Sequence, residues 1–243
     1  MPNPATRFDA VVFDLGGVVV PSPLDAFRAY EARVGLPHRF LSEVVLAGGE
    51  GGAWSRLERG EVSMDEFADE FGAECAMAGG TVDVDELFAQ VHDSPGPRPE
   101  MMVAIRRIRA EGLKTGALTN NWRDERAAGE ETRDTTRPAM FDLFDVVVES
   151  AIVGLRKPDP RIYELACTRL GVEPERAVFL DDLGVNLKPA RSMGMATIKV
   201  GDAGAALAEL EALLGFGLGA PTGRRRKRRL ARRRASTPPA ADD

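Results

Sequence analysis

The feature that most constrains the fold is an alternation of short apolar runs with helical patterns, broken once by a long stretch without a strand. Five runs read as strands: Phe8–Phe13, Leu113–Leu118, Asp145–Val148, Ala177–Leu180 and Ala196–Val200. Their Val/Ile/Leu/Phe character is nearly continuous, as expected of strands buried on both faces of a parallel sheet. Helical patterns lie between them over Pro99–Ala110, Asp159–Leu170, Asn186–Met193 and Gly204–Leu214, the first two followed by Gly112 and Gly171. Strand and helix in turn predict an α/β fold, a parallel sheet covered by helices.

Residues 21–97 break this rhythm. They read as helix only, over Leu24–Val34, Phe40–Leu46, Met64–Phe71 and Val84–Val91, with Gly-rich turns such as Gly48–Gly52. About 75 residues is far too long for a crossover loop, so a helical subdomain inserted into the sheet domain is expected. His92–Pro99, with three prolines, reads as the return hinge. The predicted organisation is a core from 1–20 and 98–215, a helical cap over 21–97 and a basic tail over 216–243. Asn121–Met140 is polar, with room for one helix, and part of it is expected to be mobile.

Charge is distributed unevenly. Nine of the 32 Lys/Arg but only two of the 38 Asp/Glu lie in residues 221–243, leaving 23 basic against 36 acidic residues in 1–220. An acidic body makes a poor nucleic-acid surface. The tail is expected to be a disordered extension; its charge also fits non-specific binding to nucleic acid or anionic surfaces, or folding back on the body. No run approaches the roughly 20 apolar residues of a membrane span. No export signal is visible, and two cysteines make no disulfide framework, so a cytoplasmic setting is expected.

In open parallel sheets, function gathers where the strands end at their carboxyl edge. The first strand ends at Asp14, the second at Thr119 and Asn120, the fourth at Asp181 and Asp182, and Lys157 follows the third. Massed carboxylates repel unless a cation sits among them, and Mg²⁺ is the natural occupant. A lysine, a hydroxyl and an amide can hold phosphoryl oxygens while one aspartate attacks phosphorus.

The motifs Phe13-Asp14-Leu15-Gly16-Gly17-Val18, Leu118-Thr119-Asn120-Asn121, Lys157-Pro158-Asp159-Pro160 and Phe179-Leu180-Asp181-Asp182-Leu183-Gly184 resemble those of the haloacid dehalogenase-like (HAD) hydrolases. The likeness covers residues 8–214 and is strongest to the phosphatase subgroup that includes the amino-terminal domains of soluble epoxide hydrolase and of large acyl-CoA dehydrogenase family proteins. It implies a Rossmann-like core with an inserted cap, and a Mg²⁺-dependent phosphatase acting on a small phosphorylated substrate. It further implies Asp14 as nucleophile and metal ligand, Asp182 and Asp181 as metal-site carboxylates, and the main-chain carbonyl of Gly16 as a ligand. Thr119, Asn120 and Lys157 would bind the phosphoryl group, with Lys157 also steadying the nucleophile and Asn186 steadying the metal loop.

Gly16 stands where most such phosphatases carry a second aspartate for acid–base work, a contribution typically worth 10²–10⁴-fold. Slow turnover is the expectation. Two rivals follow: a haloacid dehalogenase, in which the aspartate attacks carbon without a metal, and a catalytically weak domain that binds a phosphorylated ligand or partner protein. Trp54 is a candidate for either the cap's substrate face or its packing. His38 and His92 read as structural, and Cys75 and Cys167 as small buried hydrophobes.

Overall fold

The computed structural model describes residues 6–93, 95–123 and 140–219. Its strands are β1 (Ala10–Phe13), β2 (Lys114–Thr119), β3 (Val146–Glu149), β4 (Ala177–Asp181) and β5 (Ala196–Lys199). All pairings are parallel, in the order β3-β2-β1-β4-β5. Each of the five expected strands is present within two residues of its predicted bounds. The register fixes the site: Phe13 lies opposite both Ala117 and Leu180, so Asp14 and Asp181 leave adjacent strands side by side.

Alternate residues of the strands feed two separate cores. Val11 and Phe13 pack with Met101, Ile105, Leu210 and Leu214, from helices α6 (Pro99–Ala110) and α10 (Ala203–Leu214). Ala10, Val12 and Phe179 pack with Ile162, Tyr163 and Leu187, from α8 (Pro160–Leu170) and α9 (Gly184–Ser192). Leu218 is also buried on the first of these layers, so the chain stays on the core beyond residue 215, where the tail was expected to leave it. The arginine-rich stretch itself lies outside the described residues, as does most of Asn121–Met140.

Between β1 and β2 stand α1 (Pro23–Val34), α2 (Phe40–Gly48), α3 (Ala53–Glu58), α4 (Met64–Met77) and α5 (Val84–His92), the expected helical insertion. Its starts are chemically marked. Ser22 accepts from Leu24 N ahead of Pro23, and Ser63 and Glu66 form a reciprocal capping box. The insertion has its own core, in which the Trp54 ring lies within 6.0 Å, centroid to centroid, of Phe27, Phe67, Phe71 and Phe88, and Trp122 from the loop after β2 packs against it at 5.9 Å. Two short helices, α3 and α7 (Ser150–Val153), were not anticipated; six and four residues are too few to show a helical period. Among the described residues no helix is long and apolar enough to cross a membrane.

Candidate active site

Asp14 follows β1 directly and its amide still pairs with Leu180 O at 2.8 Å, which anchors the carboxylate to the sheet. Lys157 enters from the loop before α8. Its Nζ lies 2.8 Å from Asp14 Oδ2 and 2.7 Å from Asp181 Oδ2, with only 1% of the side chain exposed. Asp181 is fully buried and also accepts from Asn186 Nδ2, 3.1 Å from each oxygen, and from Leu183 N at 2.8 Å. Asp14 Oδ1 accepts from Leu15 N at 2.7 Å, and Asp182 Oδ2 receives Ser22 Oγ at 3.5 Å. Each of the three aspartates thereby presents an oxygen within 4.8 Å of the others.

The electrostatics of this cluster are strained in one direction. Burial pushes the Asp14 carboxyl well above its usual range; Lys157 pulls it back, while Asp181 and Asp182 push it further. Burial, then Asp181, also raises Asp182. Burial works against the Lys157 charge, but Asp14 and Asp181 override it and hold the ammonium above the ordinary lysine range. One cation among three carboxylates leaves negative charge to be neutralised, by protons or by another cation. An all-oxygen donor set with excess negative charge fits a hard divalent ion such as Mg²⁺.

Close approach explains the glycines beside Asp14. Gly17 has φ +77, and a Cβ there would stand 2.2 Å from Asp182 Oδ2. The loop is held from the hinge side: Arg98 Nη1 donates to the carbonyls of Gly17 and Val18, both at 2.7 Å. At Gly16 a Cβ would meet Pro23 Cδ at 3.2 Å.

Thr119, at the end of β2, is buried and its hydroxyl lies 3.4 Å from Asn120 O. Asn120 is engaged through its side chain: Oδ1 accepts from Lys157 N at 2.8 Å, and Nδ2 donates to Lys157 O at 3.0 Å and to Glu58 Oε2 at 3.2 Å. Thus Asn120 also sets the backbone that carries Lys157. Asn186, besides holding Asp181, has its carbonyl tied by Tyr163 OH at 2.7 Å.

A cavity of about 480 Å³ opens between the core and the insertion, with Asp14, Lys157 and Asp182 on one side and Phe27, Leu46 and Trp54 on the other. Trp54 therefore both packs the insertion's core and lines this cavity. A smaller space of about 250 Å³, sharing Gly16, Pro23 and Asn120, has Thr119, Trp122 and His92 in its lining. His38 is exposed and apart from both spaces. Both cysteines are buried and free, their thiols pushed up by burial to about 12 for Cys75 and about 11 for Cys167.

Four residues of this neighbourhood escaped the sequence reading: Ser22, Glu58, Arg98 and Arg156. Arg156 adjoins Lys157 and was visible as its neighbour. Glu58 and Arg98 sit in charged or proline-rich runs with nothing to distinguish them from solvated side chains.

An aspartate at the carboxyl edge of a parallel sheet, braced by a buried lysine beneath a helical insertion, gives the chain the build of a hydrolase. The particular family is shown by a match of residues 8–194 to the haloacid dehalogenase-like hydrolases, and the chain belongs to that family. It is 42% identical over 222 residues to acyl-CoA dehydrogenase family member 10 of Mus musculus, covering 89% of this chain and 20% of that protein. It is 37% identical over 218 residues to bifunctional epoxide hydrolase 2 of Sus scrofa, covering 85% of this chain and 39% of the relative. The chain thus spans well under half the length of these two relatives. With a sesquiterpene phosphatase of Aspergillus oryzae it shares 26% identity over 211 residues, 86% of this chain and 98% of the other. Among solved structures, a HAD family enzyme of Bacteroides thetaiotaomicron in complex with magnesium and inorganic phosphate superposes with a TM-score of 0.58 at 19% identity. That superposition covers 81% of this chain and 96% of the other, and it shows the fold.

Proposed function

We propose that this hydrolase is a Mg²⁺-dependent phosphatase acting on a small phosphomonoester through an aspartyl-phosphate. The observation that carries this reading is the buried contact of Lys157 Nζ with both Asp14 and Asp181, beside Asp182. Asp14, Asp182 and the main-chain carbonyl of Gly16 would hold the ion, with Asp181 behind them. When bound, the ion supplies positive charge that keeps Asp14 ionised and offsets the charge of the phosphoryl oxygens.

An ionised Asp14 oxygen attacks phosphorus in line with the ester oxygen. The P–O bond to the alcohol breaks, its electron pair leaves with the alkoxide, and that oxygen takes a proton from water. A second water then attacks the aspartyl-phosphate, releasing inorganic phosphate and restoring the carboxylate. Lys157 holds charge at the nucleophile and the transferred group, while the Thr119 hydroxyl and the main-chain N–H of Asn120 would bind phosphoryl oxygens. With Gly16 in place of an acid, leaving groups that need no protonation should turn over best.

A dehalogenase reading draws on the same Gly16, but needs no cation, and the Asp181–Asp182 pair beside Asp14 supports a cation-dependent reaction instead. The test is phosphate release from sugar, nucleotide and lipid phosphates and p-nitrophenyl phosphate, with Mg²⁺ or with EDTA, alongside halide release from 2-haloacids. Phosphate release that EDTA removes, and that Asp14→Asn lowers by about 10³-fold or more, is the expected result. Halide release that persists in EDTA would replace this reading with the dehalogenase. Turnover equal in wild type and Asp14→Asn would leave only a binding domain.

A further inference from the structure

Lys157 is held by more than its carboxylate partners. Its main-chain N–H and C=O are both gripped by the side-chain amide of Asn120, and that amide is completed from the insertion by Glu58. Glu58 ends α3, in the same helix as Trp54, and its side chain is 9% exposed. One oxygen accepts from Trp54 Nε1 at 2.9 Å. The other accepts from Asn120 Nδ2 at 3.2 Å and from Arg156 Nε at 2.8 Å. Arg156 immediately precedes Lys157 and reaches a second insertion carboxylate, Glu50, through Nη1 at 3.1 Å. A single carboxylate of the insertion therefore grips both the residue before Lys157 and the amide that clamps Lys157.

The chemistry of an amide makes this consequential. Asn120 has two hydrogens and one carbonyl oxygen to place. With Oδ1 on Lys157 N, one hydrogen goes to Lys157 O and the other needs an acceptor, which Glu58 provides. Turning the amide over would set its NH2 against Lys157 N–H and its oxygen against both Lys157 O and the Glu58 carboxylate, so Glu58 reinforces the orientation that the Lys157 main chain already favours. The main-chain clamp on Lys157 is thereby braced by a residue of the insertion. The seam around it is close: a Cβ on Gly60, two residues past Glu58, would stand 2.4 Å from Ala151 O in α7.

We infer that Glu58 is a positioning residue that couples seating of the helical insertion to the placement of Lys157 beside the nucleophile, acting through Asn120 and Arg156. This deepens the phosphatase reading and rests on it. When the insertion lifts, Glu58 leaves with it, and both Asn120 and Arg156 lose the carboxylate that braces them. The ammonium is then poorly placed, and the site is fully assembled only when covered.

The test uses Glu58→Gln in the full chain. A glutamine keeps the shape but offers one oxygen, which cannot serve Trp54 on one side and Asn120 with Arg156 on the other. Expected is a fall in kcat for p-nitrophenyl phosphate of about 10- to 100-fold, with KM within about twofold of wild type. Expected too is a double variant, Glu58→Gln with Asn120→Ala, slower than Asn120→Ala alone by clearly less than the factor Glu58→Gln costs in wild type, since the two changes break one shared contact and leave only the Arg156 route to lose. An unchanged kcat in well-folded Glu58→Gln, or losses that multiply in the double variant, would overturn the inference. If Glu58→Gln does not fold, Arg156→Gln carries the same test, with the same fall in kcat expected and an unchanged kcat decisive against it. Wild type without Asp14-dependent phosphate release would sink the phosphatase reading instead, so the two failures are separable.

Discussion

The two sides of the larger cavity are built from opposite materials. On the core side, Lys157, Asp14 and Asp181 are buried charges held by hydrogen bonds and fixed by strand register. On the insertion side, Trp54 sits among four phenylalanine rings of the insertion, with Trp122 reaching in from the loop after β2, held largely by packing. A charged cluster has one workable arrangement, because displacing any member strands the others. An aromatic cluster tolerates small shifts at a small energetic cost. A reaction centre belongs on the first kind of scaffold and a movable cover on the second. The two meet at Glu58, which carries an oxygen for each.

This contrast can be broken most violently at Lys157. Lys157→Met leaves Asp14 and Asp181 facing each other without their shared cation. Urea denaturation should show a loss of about 3–5 kcal/mol. Phosphate release should fall by about 10²-fold or more, because charge stabilisation at the reacting group goes with it. Full activity with reduced stability would mean the lysine only props the sheet ends apart.

Trp54→Ala should cost a similar amount of stability, about 3–5 kcal/mol, by opening a cavity in the aromatic core. Its signature differs, since the strand-end cluster stays intact: local exchange of the insertion's amides should accelerate while those of β1 and β4 remain protected. Uniform acceleration across both regions would show that insertion and sheet unfold as one unit.

The smallest effect is expected at the far end of the sheet, where Arg176 pairs with Asp9 on a largely solvated surface. The hydrogen bond from Arg176 holds the Asp9 carboxyl below its usual value. A lowered native pKa adds stability above the unfolded value of about 3.9, and that stability disappears as pH falls through the native pKa. Asp9→Asn should therefore cost at most about 1 kcal/mol at pH 7 and almost nothing near pH 2. Melting curves at both pH values check this, and an equal cost at each would discard the ion pair as its source.

Much of this architecture was legible in the chain because its signals are local. Continuous apolar runs announce doubly covered strands, and a polar residue directly after such a run has to appear at the sheet's edge. Asp14, Thr119 and Asp181 were found that way, and Lys157 by the motif around it. Glu58 could not be: its significance lies in being near Asn120 and Arg156, 62 and 98 positions away, and no pattern within a helix of six residues encodes that. Leu218 was missed for a related reason, since a lone leucine after a helix-ending Gly215 looks like the start of a tail. Asn120 drew attention through the resemblance, as an expected phosphoryl-binding residue, but its clamp on Lys157 emerges only when two crossovers bring the loops together.

Pro23 opens the first helix of the insertion and leans over Gly16, its Cδ 3.2 Å from where a side chain would begin. An acid introduced at position 16 would press on that ring, and room for it depends on the start of the neighbouring helix giving way by a few tenths of an ångström. The two positions are thus sterically coupled: Gly16→Asp combined with a smaller residue in place of Pro23 should seat the acid with less displacement than Gly16→Asp alone.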